Sequence, residues 1–292
     1  VTDSAPERRS AERRSAEPRT VVITGASDGI GAAAARRLAT SGHRVVVVGR
    51  SPAKTAAVAG SVGAAHLVVD FTRLDEVRGL AAELLSRYPT IDVLANNAGG
   101  IFGDPARTVD GFEQTLQVNH LAPFLLTRLL MDTLLASRAT VINTASLAAR
   151  MSRGVDVDTR HARARIPALR AYGDSKLATI LFTRELHRRF HAQGLSTAAF
   201  HPGIVMTNFG SGSTSAMRHL YRAPMRRLVL ISPERGAETL VWLTEGTPGQ
   251  DWESGRFYVR KQVARTNPLA TDDALALRLW ERSAELLGLP DR

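Results

Sequence analysis

Short runs of consecutive apolar residues alternate along this chain with longer stretches in which apolar and polar positions mix at helical spacing. Thr20 to Thr24, Arg44 to Val48, His66 to Val69 and Ile91 to Ala95 each read as a strand rich in Val, Ile, Leu and Ala. Between them, an Ala-rich helix ends near Ser41-Gly42 and a second helix runs from about Leu74 to Tyr88. Strands apolar on both faces belong to a sheet covered on both sides, so the expected class is α/β: a single-domain, Rossmann-type, doubly wound parallel sheet with helices on both faces. That domain is expected to span residues 20–292. Residues 1–19 repeat Glu-Arg-Arg-Ser-Ala at Glu7 to Ala11 and Glu12 to Ala16 with almost no large apolar side chain. Such a segment buries too little surface to offset its ordering entropy and is expected to be a mobile tail or frayed helix.

In a sheet of this kind ligands bind at the carboxyl ends of the strands, so the turns there carry the chemistry. The first strand leads into Gly25-Ala26-Ser27-Asp28-Gly29-Ile30-Gly31 and then a helix. Glycines let the backbone approach a phosphate closely while helix N-terminal amides face it, although the spacing is Gly-x-x-x-Gly-x-Gly rather than Gly-x-Gly-x-x-Gly. The second strand ends at Gly49-Arg50-Ser51. An acidic residue there would hold the ribose of NAD, whereas an arginine accommodates the 2′-phosphate of NADP, so Arg50 points to NADP(H) over NAD(H). The third strand ends in Asp70-Phe71, with the aspartate placed for an adenine, and the fourth in the turn Asn96-Asn97-Ala98-Gly99.

Proton transfer is suggested by Tyr172 and Lys176, four apart at the start of a helical run and therefore on one face. A tyrosine has an ordinary pKa of about 10, and a neighbouring cation favours its phenolate. Bringing it near neutrality takes about 4 kcal/mol at roughly 1.4 kcal/mol per unit, more than one lysine supplies alone. The chain uses arginine almost everywhere for positive charge, and its only lysines are Lys54, Lys176 and Lys261. Unlike arginine, lysine can be tuned by its surroundings, which fits a chemical role for Lys176.

Composition narrows the classes further. The 292 residues are 44% hydrophobic and contain no cysteine, which excludes disulfides and thiol chemistry and suits a reducing cytoplasm. No apolar run reaches the roughly 18 residues of a membrane span, and there is no signal-peptide core, so no membrane partner is expected. The formal charge of +10 raises nucleic acid as a partner. The arginines are dispersed rather than gathered in one stripe, and no zinc finger or aromatic RNA-binding signature accompanies them, so none is expected.

The chain resembles the short-chain dehydrogenase/reductase family from about Thr20 to its C-terminus. Thr24 to Gly31 resembles that family's cofactor motif, and Asn96-Asn97-Ala98-Gly99 its second signature. Asn119 falls where the family has its water-holding asparagine, Ser146 on its catalytic serine, and Tyr172 and Lys176 on its catalytic pair. His201-Pro202-Gly203-Ile204-Val205-Met206-Thr207 resembles the segment whose later threonine contacts the nicotinamide amide. The resemblance thus implies cofactor contacts at Gly25, Ser27, Asp28, Gly29, Ile30, Gly31, Asn97, Ala98, Gly99, Pro202, Gly203, Val205 and Thr207, with Lys176 on the nicotinamide ribose. Gly111-Phe112-Glu113, Val118 to Leu121, Ser175 to Ala178, Arg278-Leu279-Trp280 and Leu286 to Leu289 are similar to the retinol-dehydrogenase-like branch, whose N-terminal membrane anchor is not seen here.

The resemblance implies an NADP(H)-dependent interconversion of a carbonyl and an alcohol of a small-molecule substrate. The alternative on the same fold is a noncatalytic NADP(H)-sensing or interaction protein, for which the set Asn119, Ser146, Tyr172 and Lys176 has no chemical need. Residues 147–170, with six arginines from Arg150 to Arg170, and 209–230 are expected to flank the substrate as loop and lid. The helices after Phe112 and Tyr172 are where this family often pairs subunits, leaving a homo-oligomer open. His187 and His191 have zinc-ligand spacing without the glutamate of His-Glu-x-x-His, and read as a solvated helix face.

Overall fold

The computed structural model describes residues 18–102, 106–155, 167–203 and 231–290. The first half alternates strands and helices: β1 (Thr20–Thr24), α1 (Gly29–Thr40), β2 (Arg44–Gly49), α2 (Pro52–Val62), β3 (Ala65–Val68), α3 (Leu74–Arg87) and β4 (Val93–Asn96). A helical turn then runs through a π-helical segment, Gln117–Leu121, into α4 (Ala122–Leu129) and α5 (Met131–Ala136). β5 (Thr140–Thr144), a 3-10 segment (Leu147–Met151), α6 (Ala168–Phe190), β6 (Ser196–His201), α7 (Pro233–Glu245), β7 (Arg256–Val259), β8 (Gln262–Val263) and α8 (Asp273–Leu286) follow.

The strands form one eight-stranded sheet in the order β3-β2-β1-β4-β5-β6-β7-β8. Every neighbouring pair is parallel except β7 with β8. Alternation along the strands sends Val21, Ile23, Val45 and Val47 into one core with Ala32 to Ala35 of α1, Val58 of α2 and Leu240 of α7. Val22, Val46, Val48 and Leu94 enter the opposite core with α3, α4 and α6. Small alanines on α1 let it lie close to the sheet, which brings its N-terminus to the end of β1. Strand order reverses between β1 and β4, so a crevice opens at their carboxyl ends.

The C-terminal helix α8 lies over the faces of α4 and α6. Trp280 is buried there, with ring centres 5.0 Å from Phe124, 6.0 Å from Phe182 and 5.9 Å from Phe190. The guanidinium groups of Arg128 and Arg189 sit 4.9 and 4.7 Å from its ring. Those parts of the helices after Phe112 and Tyr172 thus pack against the chain's own C-terminal helix.

Expected and observed elements differ mainly at their ends. β4 starts at Val93 rather than Ile91, because the Ile91 amide donates to the Ser137 hydroxyl instead of joining the ladder. The expected loop 147–170 begins as a 3-10 segment, and helix resumes at Ala168 behind Pro167. The sequence-predicted tail up to residue 17, the central part of that loop and the whole of 209–230 lie outside the described residues. No described helix is long and apolar enough to cross a membrane.

Candidate active site

The glycine turn is fixed to the fourth strand by threonine and asparagine. The Thr24 hydroxyl accepts from the amides of Asn97 and Ala98, each at 3.0 Å, and the Asn97 side-chain amide donates to Thr24 O and Gly25 O at 3.0 and 3.2 Å. Two of the glycines admit no side chain. A Cβ on Gly25, whose φ is +64°, would lie 2.7 Å from Ala98 Cα, and one on Gly31 would lie 2.5 Å from Gly25 O. Asp28 caps α1 by accepting from the Gly29 amide, leaving the turn's backbone and the helix N-terminus facing the crevice. A narrow, all-backbone cradle at a helix N-terminus fits the pyrophosphate of a dinucleotide.

At the rim of this cradle Arg50 is exposed at the end of β2. A Cβ on Gly49 would lie within 3.0 Å of Ser27 Oγ and 2.6 Å of Thr55 Oγ1, so Ser27 and the start of α2 close around the same point. Lys54, in the first turn of α2, pairs with Asp28 at 3.1 Å. Nothing in the linear chain links Lys54 to Asp28, and sequence did not place it at the cofactor site. Asp70 bonds the Thr72 amide, and Phe71 packs its side chain in the core while its carbonyl accepts from Gln117. Phe71 therefore offers only backbone to a ligand. Pro202 and Gly203 follow β6, with Gly203 at φ +96°; Val205 and Thr207 lie outside the described residues.

Tyr172 and Lys176 stand one turn apart on α6, both buried, with the Lys176 ammonium 5.6 Å from the Tyr172 ring centre. The ammonium donates to Thr144 O at 2.8 Å, and burial lowers its pKa from 10.5 to about 8. Ser146 lies just beyond β5 and caps the 3-10 segment, its hydroxyl oxygen accepting from the Ala148 amide at 3.1 Å. That segment meets α6 at Gly173, where a Cβ would come within 2.9 Å of Ala148 O. The small residue beside Tyr172 thus lets the serine turn and the tyrosine helix approach each other.

Asn119 occupies the middle of the π-helical segment. Its side chain is fully engaged: Nδ2 donates to Gly100 O and Ser175 Oγ, each at 3.0 Å, and Oδ1 accepts from the Gly100 amide at 2.9 Å. Ser175 Oγ in turn donates to Tyr172 O at 2.8 Å. Asn119 is thus a strut between the Asn97-Ala98-Gly99 turn and the tyrosine helix. A π turn leaves backbone groups out of regular helical pairing and recurs at functional positions, but a 3.6-residue apolar pattern gives no sign of it. The joining residues Thr144, Gly173 and Ser175 were likewise not singled out from sequence as parts of the site.

Asn119, Ser146, Tyr172, Lys176 and the glycine turn thus surround the sheet crevice through contacts that link each to the next. His187 and His191 stack at 4.4 Å but bond Ser254 and Leu195 O, and no group of three metal-ligating side chains occurs among the described residues.

The sequence profile of the short chain dehydrogenase family matches residues 19–218. A Streptomyces sp. (strain C5) protein provisionally named daunorubicin C-13 ketoreductase DnrU is 42% identical over 276 residues, covering 92% of this chain and 93% of that protein. Human retinol dehydrogenase 13 is 36% identical over 287 residues, covering 93% of this chain and 85% of the human protein. A provisionally assigned NAD(P)-dependent gluconate 5-dehydrogenase from Beutenbergia cavernae, solved with NADP at low occupancy, superposes with a TM-score of 0.61 at 28% identity, over 77% of this chain and 88% of its own. On the shared sheet, crevice and length of match, the chain belongs to the short-chain dehydrogenase family of oxidoreductases, in its retinol-dehydrogenase-like branch.

Proposed function

We propose that this protein is an NADP(H)-dependent oxidoreductase that interconverts a carbonyl and an alcohol. The observation that carries the reading is the buried pair Tyr172 and Lys176, held behind the glycine cradle with Ser146 and Asn119 locked on either side. The names of the Streptomyces and human relatives, a ketoreductase and a retinol dehydrogenase, support carbonyl and alcohol chemistry. The nicotinamide cofactor, when bound, supplies or takes up two electrons together with one hydrogen. The second hydrogen moves as a proton between the substrate oxygen and the Tyr172 hydroxyl. Ser146 accepts from Ala148 through its oxygen, which leaves its proton available to the substrate oxygen, where charge changes during the reaction. The Lys176 ammonium favours the phenolate of Tyr172 when the proton leaves. Asn119 holds a water and fixes the spacing of the turn and helix.

Gly25, Ser27, Asp28, Gly29, Ile30, Gly31, Asn97, Ala98 and Gly99 would hold the cofactor's phosphates and ribose, joined by Asp70, Phe71, Pro202, Gly203, Val205 and Thr207. Arg50 favours NADP, and Lys54 adds a second cation at the same rim. Residues 20–292 act in this reading as one catalytic domain, with 147–170 and 209–230 selecting the substrate. The test is titration of the purified protein with NADPH and NADH, followed by nicotinamide absorbance against a panel of ketones, aldehydes and alcohols. Tighter NADPH binding with turnover that vanishes in Tyr172→Phe is expected. Binding without turnover across the panel overturns the enzyme reading in favour of a sensor; equal affinity for both cofactors overturns the preference.

A further inference from the structure

Behind Asn119, between the ends of β4 and β5 and the helices α4 and α6, lies a small cavity with room for about one water molecule. Asn96, Asn119, His120, Asn143, Thr144 and Thr179 supply its polar wall. Two of these residues carry a side-chain atom, Asn96 Oδ1 and His120 Nδ1, that is buried and has no hydrogen-bond partner among the described residues. Buried polar atoms are paired in nearly all proteins, so two orphans on one cavity call for a shared occupant.

The surrounding bonds fix what that occupant must offer. The Asn96 amide nitrogen donates to Thr127 Oγ1 at 3.0 Å and to Asn143 Oδ1 at 2.9 Å. Thr127 spends its own proton on Pro123 O, and the Asn143 amide donates onward to Thr183. The orientation of Asn96 is therefore set, and its oxygen needs a donor. His120 Nε2 bonds Ser283 Oγ of α8 at 2.8 Å, and the tautomer decides whether Nδ1 accepts or donates. Burial keeps the ring neutral, with its pKa lowered to about 3. An anion is excluded by the Asn96 oxygen, and a metal cation by a wall without carboxylates. A neutral molecule of one-water size that donates to Asn96 and serves either His120 tautomer is water itself.

We propose that this cavity is a specific binding site for one ordered water, held by Asn96 Oδ1 and His120 Nδ1, which ties the π-helical segment to the end of β4. His120 directly follows Asn119, so the water braces the segment next to the residue that contacts Gly100 and Ser175. The site needs no cofactor or substrate, and its test is independent of the proposed reaction.

The experiment is magnetic relaxation dispersion of oxygen-17 water on the full chain, comparing wild type with His120→Gln and His120→Asn. Glutamine reaches the Nε2 position and keeps the Ser283 bond but loses Nδ1; asparagine reaches the Nδ1 position and loses Ser283. The expected result is a dispersion amplitude lower by one long-lived water in His120→Gln and unchanged in His120→Asn. Equal amplitudes for wild type and His120→Gln overturn the proposal. A crystal structure of the wild-type chain provides the second measurement: density within hydrogen-bond distance of both atoms supports the site, and a dry or protein-filled cavity overturns it.

Discussion

At the scale of single residues, Lys176 combines two demands that oppose each other. Its ammonium must be buried to stand behind Tyr172, yet burial disfavours the charge and lowers its pKa from 10.5 to about 8. Below pH 8 the lysine is charged in both folded and unfolded chains, and the folded state carries the full desolvation cost. Above about 10.5 it is neutral in both, and that cost is gone. Stability of the wild type relative to Lys176→Met is therefore expected to rise between pH 8 and about 10.5, by roughly 3 kcal/mol. Urea unfolding of both proteins across that range checks it; a flat difference would show that the ammonium is not desolvated. Lys54 poses the contrasting exposed case. Its ion pair with Asp28 contributes little to stability, since exposed pairs are worth about 0.2–1 kcal/mol. Its proposed worth lies in the cofactor's 2′-phosphate, so Lys54→Met is expected to weaken NADPH binding about tenfold and leave NADH unchanged, a loss of about 1.4 kcal/mol. Asp28→Asn keeps the α1 cap, removes the competing carboxylate and is expected to tighten NADPH. Calorimetric titration with both cofactors reads all three outcomes.

At the scale of elements, the strand-to-turn junctions decide what can bind, and these were largely legible in the chain. Valine runs with glycine turns at their ends can form little else than covered parallel strands, and a helix period places Tyr172 and Lys176 on one face without tertiary information. What sequence left out are contacts made by backbone atoms and by bends. Thr144 receives Lys176 through its carbonyl, which any residue possesses. The π turn at Asn119 is made of residues that read as ordinary helix. The capture of Lys54 by Asp28 joins residues from different helices, and only the fold brings them within 3.1 Å. Glycine is the exception, because its absence of a side chain predicts close approach in advance. Gly31→Ala is accordingly expected to force α1 away from Gly25 O and Asn97, where the added carbon would otherwise lie at 2.5 and 2.7 Å. The change is expected to cost about 1–3 kcal/mol in overpacking and to abolish measurable cofactor binding at concentrations that saturate wild type. Gly60→Ala, at a helical position with nothing within 4 Å, is the control and should preserve both.

At the scale of the whole molecule, the C-terminal helix is the element that closes the second core and reaches the site. Trp280 fills the space between Phe124, Phe182 and Phe190 while two arginines cover its ring, and Ser283, one turn further on, bonds the residue that follows Asn119. Buried tryptophan to alanine costs about 3–5 kcal/mol in a well-packed core. Domains of this kind are held by only about 5–15 kcal/mol in total, so Trp280→Ala is expected to remove about a fifth or more of the stability. The loss should appear as a lower urea midpoint with the slope preserved, because the surface exposed on unfolding barely changes. The same substitution bears on assembly. A second copy pairing through the parts of α4 and α6 that pack on Trp280 would have to displace α8. Trp280→Ala loosens that cover and is expected to turn a species whose sedimentation is independent of concentration into one that self-associates as concentration rises. If the wild type already pairs through α4 and α6, cross-linking will join those helices between copies and α8 does not seal them. If Trp280→Ala unfolds at the wild-type urea midpoint, the helix is an ornament on a core that is complete without it.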